Sequence, residues 1–209
     1  MSASDSPTSP AADRPTSLPT APPTFAHATR ARDGDLAVFA VNGFAFASWM
    51  SRVPDVKDLL GLTPGLLGIL LLSVSAGSLL GLPVAGRIAH RFGAARTVRL
   101  GAAISIPGLV LAAVAAQLQA PLPLVAPGLF LVGLGIGVWD VAQNLEGSMI
   151  ERGLGRAIMP WFHAAFSGGT VVGALIGAGL TWLRVPLAVH LGAVAILTLV
   201  VVAWGTGRF

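Results

Sequence analysis

The sequence contains no cysteine, and only 11% of its residues are charged. The first absence excludes disulfides, thiolate metal sites and cysteine nucleophiles. A soluble domain usually carries about 25% charged residues, so a soluble particle of this size could not cover its surface. The four histidines and nine acids form no H-x-x-x-H or H-E-x-x-H pattern, so we expect no metal site and no cofactor. With 54% hydrophobic residues and a mean hydropathy of +0.78, the composition indicates a protein that lies in a lipid bilayer.

The first 35 residues differ in composition from the rest of the chain. They are rich in Pro, Ser, Thr and Ala and have no apolar run. Such a segment buries too little apolar surface to offset its ordering entropy, so residues 1–35 are predicted to be a disordered cytoplasmic tail. The tail lacks the apolar core of a signal peptide, so the first hydrophobic helix is expected to act as the insertion signal.

From residue 36 onward, continuously apolar stretches alternate with short polar breaks. Their lengths are close to the roughly 20 residues that a helix needs to cross a bilayer, and they lack the alternation of a membrane barrel. We therefore predict an all-α membrane protein with one six-helix domain over residues 36–209. Because the connections are short, successive helices are expected to be antiparallel neighbours. The predicted helices cover residues 36–53, 66–85, 98–118, 122–144, 161–183 and 185–205.

The basic residues sort to one side of this arrangement. With the tail inside the cell, ten of the 13 basic residues lie in cytoplasmic segments, and only Arg52, Lys57 and Arg184 lie outside. By the positive-inside rule, both termini are cytoplasmic. The net charge of +4 is then a signal of topology, and no nucleic-acid partner is expected.

The segment between the second and third predicted helices reads GRIAHRFGAAR, residues 86–96. It resembles the cytoplasmic loop motif of the major facilitator superfamily, which occupies this place in the chain. The residues that fit the motif are Gly86, Arg91, Gly93 and, loosely, Arg96. His90 stands where the family usually has Asp, and Ala94 where it usually has a base. The alternative is an ordinary positive-inside loop with two glycines that end helices.

The resemblance implies a fold of twelve helices in two halves, each built as a 3+3 inverted repeat, with the solute site between the halves. This chain would then be the amino-terminal half. A second cytoplasmic segment, with Glu151, Arg152 and Arg156, leads into the fifth helix. Its G-R-x-x-M-P…F-H-x-x-F-S pattern is similar to a bacterial permease branch related to fucose permease. His163 in that pattern is a candidate either for proton relay or for a hydrogen bond between helices.

Asp140 is an ionisable residue inside the predicted fourth helix, within the membrane region. An ionised side chain near a helix centre costs about 2.5–3.5 kcal/mol on insertion scales. Asn144 shares its helix face and Gln143 lies at the edge of that face. The acid either takes up a proton or binds solute in a cavity, or it pairs with an arginine. The glycines beside it, and those at 169, 173 and 177, indicate close helix packing.

Two residues of the first helix are also candidates. Asn42 lies on the helix that corresponds to the fourth in the inverted repeat, so it is expected to line the pathway or to bond a neighbouring helix. Trp49 either stacks on a sugar ring or anchors the helix at the membrane interface.

Together these features predict a secondary transporter of the bacterial inner membrane. We expect proton-coupled alternating access for a small polar solute, a sugar being one candidate, with a second six-helix half or another protomer as partner. A monomer of one half is expected not to transport. The alternatives are a non-transporting membrane interaction subunit or an inactive fragment. A drug–proton antiporter is disfavoured because an arginine in the fourth helix and a Gly-Pro pair in the fifth are absent.

An enzyme is not expected. Six helices with a serine and a histidine resemble an intramembrane serine protease. The glycine that precedes the nucleophile in that family is missing before Ser167. His190 in the next helix also lacks the glycine spacing of that family.

Overall fold

The computed structural model describes residues 25–209, and within that range the structure is helical with no strand. The prediction of an all-α protein with six helices long and apolar enough to cross a membrane is confirmed. The helices are α1 (Phe25–Ser51), α2 (Val53–Leu59), α3 (Pro64–Phe92), α4 (Ala94–Gln117), α5 (Leu122–Leu154), α6 (Met159–Trp182) and α7 (Leu187–Thr206). The short helix α2 follows α1 within the first span.

Helix α1 begins at Phe25, well before the predicted start at residue 36. The prediction of a disordered tail is therefore wrong for residues 25–35, and residues 1–24 lie outside the described part of the chain. Ala28, Ala31 and Asp35 are buried and share one helix face, which packs against the bundle. Packing of this face stabilises a segment whose composition alone resembles a tail.

The helices also extend beyond the apolar runs. Helix α3 reaches Phe92 and α4 begins at Ala94, so only Gly93, with a φ of +84°, separates them. The predicted loop over residues 86–96 is wrong as a loop, because all of it except Gly93 is helical. Likewise α5 continues to Leu154, which places Glu151 and Arg152 on its last turn. Backbone hydrogen bonds continue a helix into the polar region, so the apolar boundary does not mark the helix end.

The helices pack in an interleaved order. The most extensive contacts join α3 with α5, α4 with α5 and α1 with α6, followed by α7 with α4 and α1. The expectation that successive helices are neighbours therefore holds for α4 and α5, whereas the other consecutive spans make few contacts with each other. In a 3+3 repeat the first, second and third spans correspond to the fourth, fifth and sixth. The contacts of α5 with α3 and α4 then correspond to the contacts of α1 with α6 and α7. The contacts thus follow the predicted 3+3 repeat.

Glycines allow the closest of these approaches, as predicted. A Cβ on Gly133 would overlap the backbone of Val74, which joins α5 to α3. A Cβ on Gly169 would overlap Ala40, which joins α6 to α1. Small residues at such crossings let two membrane helices make extended van der Waals contact.

Helices α3 and α6 form the most exposed faces of the bundle. Only 17% of the apolar window of α3 and 11% of that of α6 is buried, whereas the other spans are 39–50% buried. Exposed Leu, Ile and Val side chains cover both helices. These faces are suited to lipid or to another apolar helical unit.

Candidate functional site

A cavity of about 240 Å³ lies among α1, α3, α4, α5 and α7. Asn42 and Trp49, both on α1, line it together, as their seven-residue spacing along one helix face allows. None of its lining residues within the described range is charged. Its polar and indole-bearing lining residues are Asn42, Trp49, Ser75, Ser105, Trp139 and Thr198.

Several hydrogen-bonding groups of this cavity have no protein partner. The indole N–H groups of Trp49 and Trp139 and the hydroxyl of Thr198 are buried without a hydrogen bond to the described residues. Buried polar groups are nearly always satisfied, so such groups call for a partner such as water or a solute. Neither Trp139 nor Thr198 was predicted from the sequence, because single Trp and Thr residues in an apolar helix carry no distinguishing pattern.

Asp140 forms a local cluster with the two amides predicted to accompany it. The Gln143 amide donates a hydrogen bond to Asp140 Oδ1 at 3.1 Å. The Asn144 amide donates to the backbone oxygen of Asp140 at 2.8 Å and lies 3.5 Å from Oδ1. Within the described residues Asp140 has no ion pair, so an arginine partner is not observed.

The Asp140 cluster lies beside the cavity without lining it. Asp140 follows Trp139 directly and comes one helical turn after Ile136, and both of these residues line the cavity. Gln143 is buried with its Oε1 unpartnered, whereas Asp140 and Asn144 are partly exposed. The arrangement places a half-buried carboxyl one turn beyond the apolar part of the cavity.

His163 is not brought to this site. It lies exposed in the second turn of α6, where its ring meets the edge of the Phe39 ring at a centroid distance of 5.7 Å. Phe39 also stacks on Phe162, with ring centroids 5.3 Å apart. The structure therefore places His163 in an aromatic cluster between α1 and α6.

The residues that resemble the cytoplasmic motif lie together at one end of α3 and α4. Gly86, His90 and Arg91 are exposed on the last turns of α3, and Arg96 is exposed on the first turn of α4. The Arg91 guanidinium lies 5.5 Å from the centroid of the Phe92 ring. No ion pair is formed by these residues with the part of the chain that the structure describes.

Glu151 in the second predicted cytoplasmic segment has a clear structural role. Its Oε2 accepts hydrogen bonds from the backbone N–H groups of Ile158, at 2.7 Å, and Met159, at 2.9 Å. These donors belong to the start of α6, where helix N–H groups lack intrahelical partners. Arg152 and Arg156 are exposed on either side of this turn.

The structure adds a buried pair of carboxyl groups that the sequence did not reveal. Asp35 on α1 is 0% exposed, and both of its oxygens lack a partner among the described residues. Glu146 on α5 is also buried, at 8% exposed. Asp35 was assigned to the tail and Glu146 to the region after the fourth helix, so neither was treated as intramembrane.

Arg52 joins four helical segments at the opposite end. It forms an ion pair with Asp55 at 2.5 Å and donates to the backbone oxygen of Val185 at 2.8 Å. Its Nη1 lies 3.5 Å from His190 Nδ1, and Thr181 donates to Asp55 at 3.2 Å. Arg52 is only 3% exposed, whereas the sequence predicted no more than a position at the outer end of the first helix.

The protease alternative requires Ser167 and His190 to meet. The Ser167 hydroxyl donates to the backbone oxygen of His163 at 2.9 Å. His190 instead lies beside Gly177, ten residues further along α6, or about 15 Å. The structure therefore does not bring the two groups together.

The known proteins similar to this chain include two that are named as transporters. Residues 57–151 match the family described as PUCC protein. An uncharacterized transporter, y4wD, of Sinorhizobium fredii is 40% identical over 158 residues, which cover 75% of this chain and 41% of that protein. An uncharacterized MFS-type transporter of Yersinia pestis is 32% identical over 169 residues, covering 79% of this chain and 42% of that protein.

A third relative, membrane protein MosC of Rhizobium meliloti, is 31% identical over 137 residues, covering 66% of this chain and 33% of that protein. The chain thus spans less than half the length of these curated relatives. The six apolar helices indicate a multi-pass membrane protein, and two of these three relatives are named as transporters.

Proposed function

We propose that the described bundle is one six-helix half of a proton-coupled secondary transporter of the major facilitator type. The second half belongs either to the same polypeptide or to a partner chain. The transporter would move a small polar solute, for which a sugar is the candidate, across the bacterial inner membrane with both termini in the cytoplasm. The interleaved helix contacts and the MFS-type relative support this proposal.

The cavity is the observation that carries the solute role. It offers indole and hydroxyl donors without protein partners, together with the amide of Asn42 and an uncharged lining. Such donors favour a solute rich in oxygen acceptors, because each buried unsatisfied group costs roughly 1–3 kcal/mol until it is paired. Trp49 and Trp139 line the cavity as largely buried residues, 3% and 2% exposed. An oxygen-rich solute such as a sugar also agrees with the resemblance to a permease branch related to fucose permease.

Asp140 is proposed to couple transport to protons. As a carboxylate, its side chain only accepts hydrogen bonds, and Gln143 supplies one to Oδ1 at 3.1 Å. A bound proton converts the group into a donor and weakens its hold on the neighbouring amides. Gln143 and Asn144 would then be free to turn toward the cavity one turn away. Proton binding and solute binding would thus affect the same short stretch of α5.

A second half is proposed to close the other side of the pathway. The cavity is lined on one side by the bundle and opens beside Phe46 and Met50, which are 43% and 42% exposed. The motif residues Gly86, His90, Arg91, Gly93 and Arg96 would meet the second half at the cytoplasmic end. With only one wall of the pathway, the bundle alone is expected not to transport.

The test uses a chimaera in which this chain replaces the matching segment of the Sinorhizobium fredii relative. Uptake of radiolabelled hexoses, pentoses and polyols is measured in membrane vesicles with an imposed pH gradient. Asp140→Asn is expected to abolish accumulation against a gradient, because the side chain no longer takes up a proton. Exchange of labelled for unlabelled solute is expected to persist.

Asp58→Asn, which removes an acid at the opposite end of the bundle, is the matched control and should leave accumulation unchanged. Unchanged accumulation in Asp140→Asn would refute the coupling role. If the chimaera is stable but moves no solute, the non-transporting interaction subunit is the better description. We further propose that the protein catalyses no chemical reaction.

A further inference from the structure

A second pocket, of about 330 Å³, lies at the end of the bundle where α1 meets the turn between α5 and α6. Two guanidinium groups and one indole line it, together with apolar side chains. We name it the arginine pocket, and its residues are Arg32, Leu36, Arg156, Ala157, Ile158, Trp161 and Phe162.

Helix geometry places the arginine pocket at the level of lipid headgroups. Twenty residues separate Arg32 from Arg52, which corresponds to about 30 Å of helix, the thickness of the hydrocarbon core. On α6, Trp161 and Trp182 are 69% and 82% exposed and lie 21 residues apart, or about 31 Å. Exposed tryptophans at this separation are typical of the two membrane interfaces.

The two guanidinium groups of the pocket have few competing partners among the described residues. Within the described residues Arg156 has no ion pair. Arg32 pairs with Asp33 at 2.7 Å, but the two side chains are 30% and 50% exposed, and such solvent-accessible pairs contribute little stability. Glu151, the acid nearest in sequence to Arg156, is occupied by the N–H groups of Ile158 and Met159. An incoming phosphate therefore meets available guanidinium donors.

We propose that the arginine pocket binds an anionic phospholipid. Arg32 and Arg156 would hold the phosphate, since guanidinium groups form paired hydrogen bonds with phosphate oxygens. The glycerol and the start of an acyl chain would lie against Leu36 and Phe162. Basic pockets between membrane helices commonly hold such headgroups. The site is separate from the solute cavity and does not depend on the transport role.

The experiment measures lipid retention by native mass spectrometry of the purified full chain in detergent. Phosphatidylglycerol and the zwitterionic phosphatidylethanolamine are added at equal concentrations. Arg32→Gln and Arg156→Gln are each expected to lower the affinity for phosphatidylglycerol about fivefold, and the double variant about 25-fold. Arg30→Gln is the matched control, because Arg30 is exposed on the same helix but does not line the pocket. It should change the affinity less than twofold.

Equal affinity for the two lipids, or an equal loss in Arg30→Gln, would overturn the proposal, since either result indicates general surface charge. Glycerol 3-phosphate and inorganic phosphate distinguish a lipid site from a free-anion site. Displacement of phosphatidylglycerol by millimolar concentrations of either one would show that the apolar lining contributes nothing. Elution volume and thermal unfolding of each variant in detergent confirm that it is folded. Arg156→Gln changes an exposed turn and provides the test if the double variant unfolds.

Discussion

Asp35 is a buried acid without a compensating base. Its carboxyl oxygens have no hydrogen-bond partner among residues 25–209. An ionised carboxylate in such a place is costly unless it is paired and hydrogen-bonded. The residue therefore lowers the stability of the bundle whenever it carries a charge.

We expect Asp35→Asn to stabilise the protein at alkaline pH. The amide has nearly the same shape and no charge, so the gain should be about 1–3 kcal/mol at pH 8. Thermal unfolding in detergent measures the difference. Asp33→Asn, at the neighbouring exposed acid, should change the stability by no more than about 0.5 kcal/mol, and identical behaviour of the two variants would contradict the expectation.

At the scale of the helix, α5 depends on small residues where it crosses its neighbours. Gly133 faces the backbone of Val74, and Gly135 faces that of Gly101, so α5 lies close to both α3 and α4. Side chains at these places would separate the helices. The position of Asp140 relative to the cavity depends on the same crossings, because it lies on the same continuous helix.

Gly133→Ala is expected to destabilise the bundle by about 1–3 kcal/mol, because its Cβ has no space against the Val74 carbonyl. Gly68→Ala is the control within a helix, since no atom lies within 4 Å of the added Cβ. That change should be neutral or stabilise the helix by about 0.5–1 kcal/mol. Resistance to unfolding in detergent provides the comparison. A Gly133→Ala variant as stable as the parent would show that the two helices separate easily.

The sequence predicted the spans well and their ends poorly. Apolar runs reveal where a helix contacts lipid, which is why all six spans were found. They carry no information on where backbone hydrogen bonding stops. The sequence therefore did not predict that α1 begins at Phe25, that only Gly93 separates α3 from α4, or that α5 ends at Leu154. The site was predictable where two candidates share one helix, as with Asn42 and Trp49. It was not predictable where it depends on which helices meet, as with Trp139 and Thr198.

On the scale of the whole molecule, the proposed orientation follows from arginines that the bundle concentrates at one end. The lack of cysteine makes this orientation simple to measure. Single-cysteine variants at Gln119 and Arg156 place a thiol in turns at opposite ends of the bundle. A membrane-impermeant maleimide added to intact cells is expected to label Gln119→Cys and not Arg156→Cys. Labelling with the reverse pattern would invert the proposed topology, and permeabilised cells should label both.

The interleaved contacts have a consequence for how the protein is made. Within this bundle α1 is synthesised before the other helices, yet its most extensive contacts are with α6 and α7, which are synthesised after α3, α4 and α5. Until then its polar residues, including Asn42 and Asp35, lie in the membrane without their final neighbours. Helix α5, by contrast, is synthesised when α3 and α4 are already inserted. Packing of these six spans is therefore expected to begin around α5, with α1 packing late although it is made early.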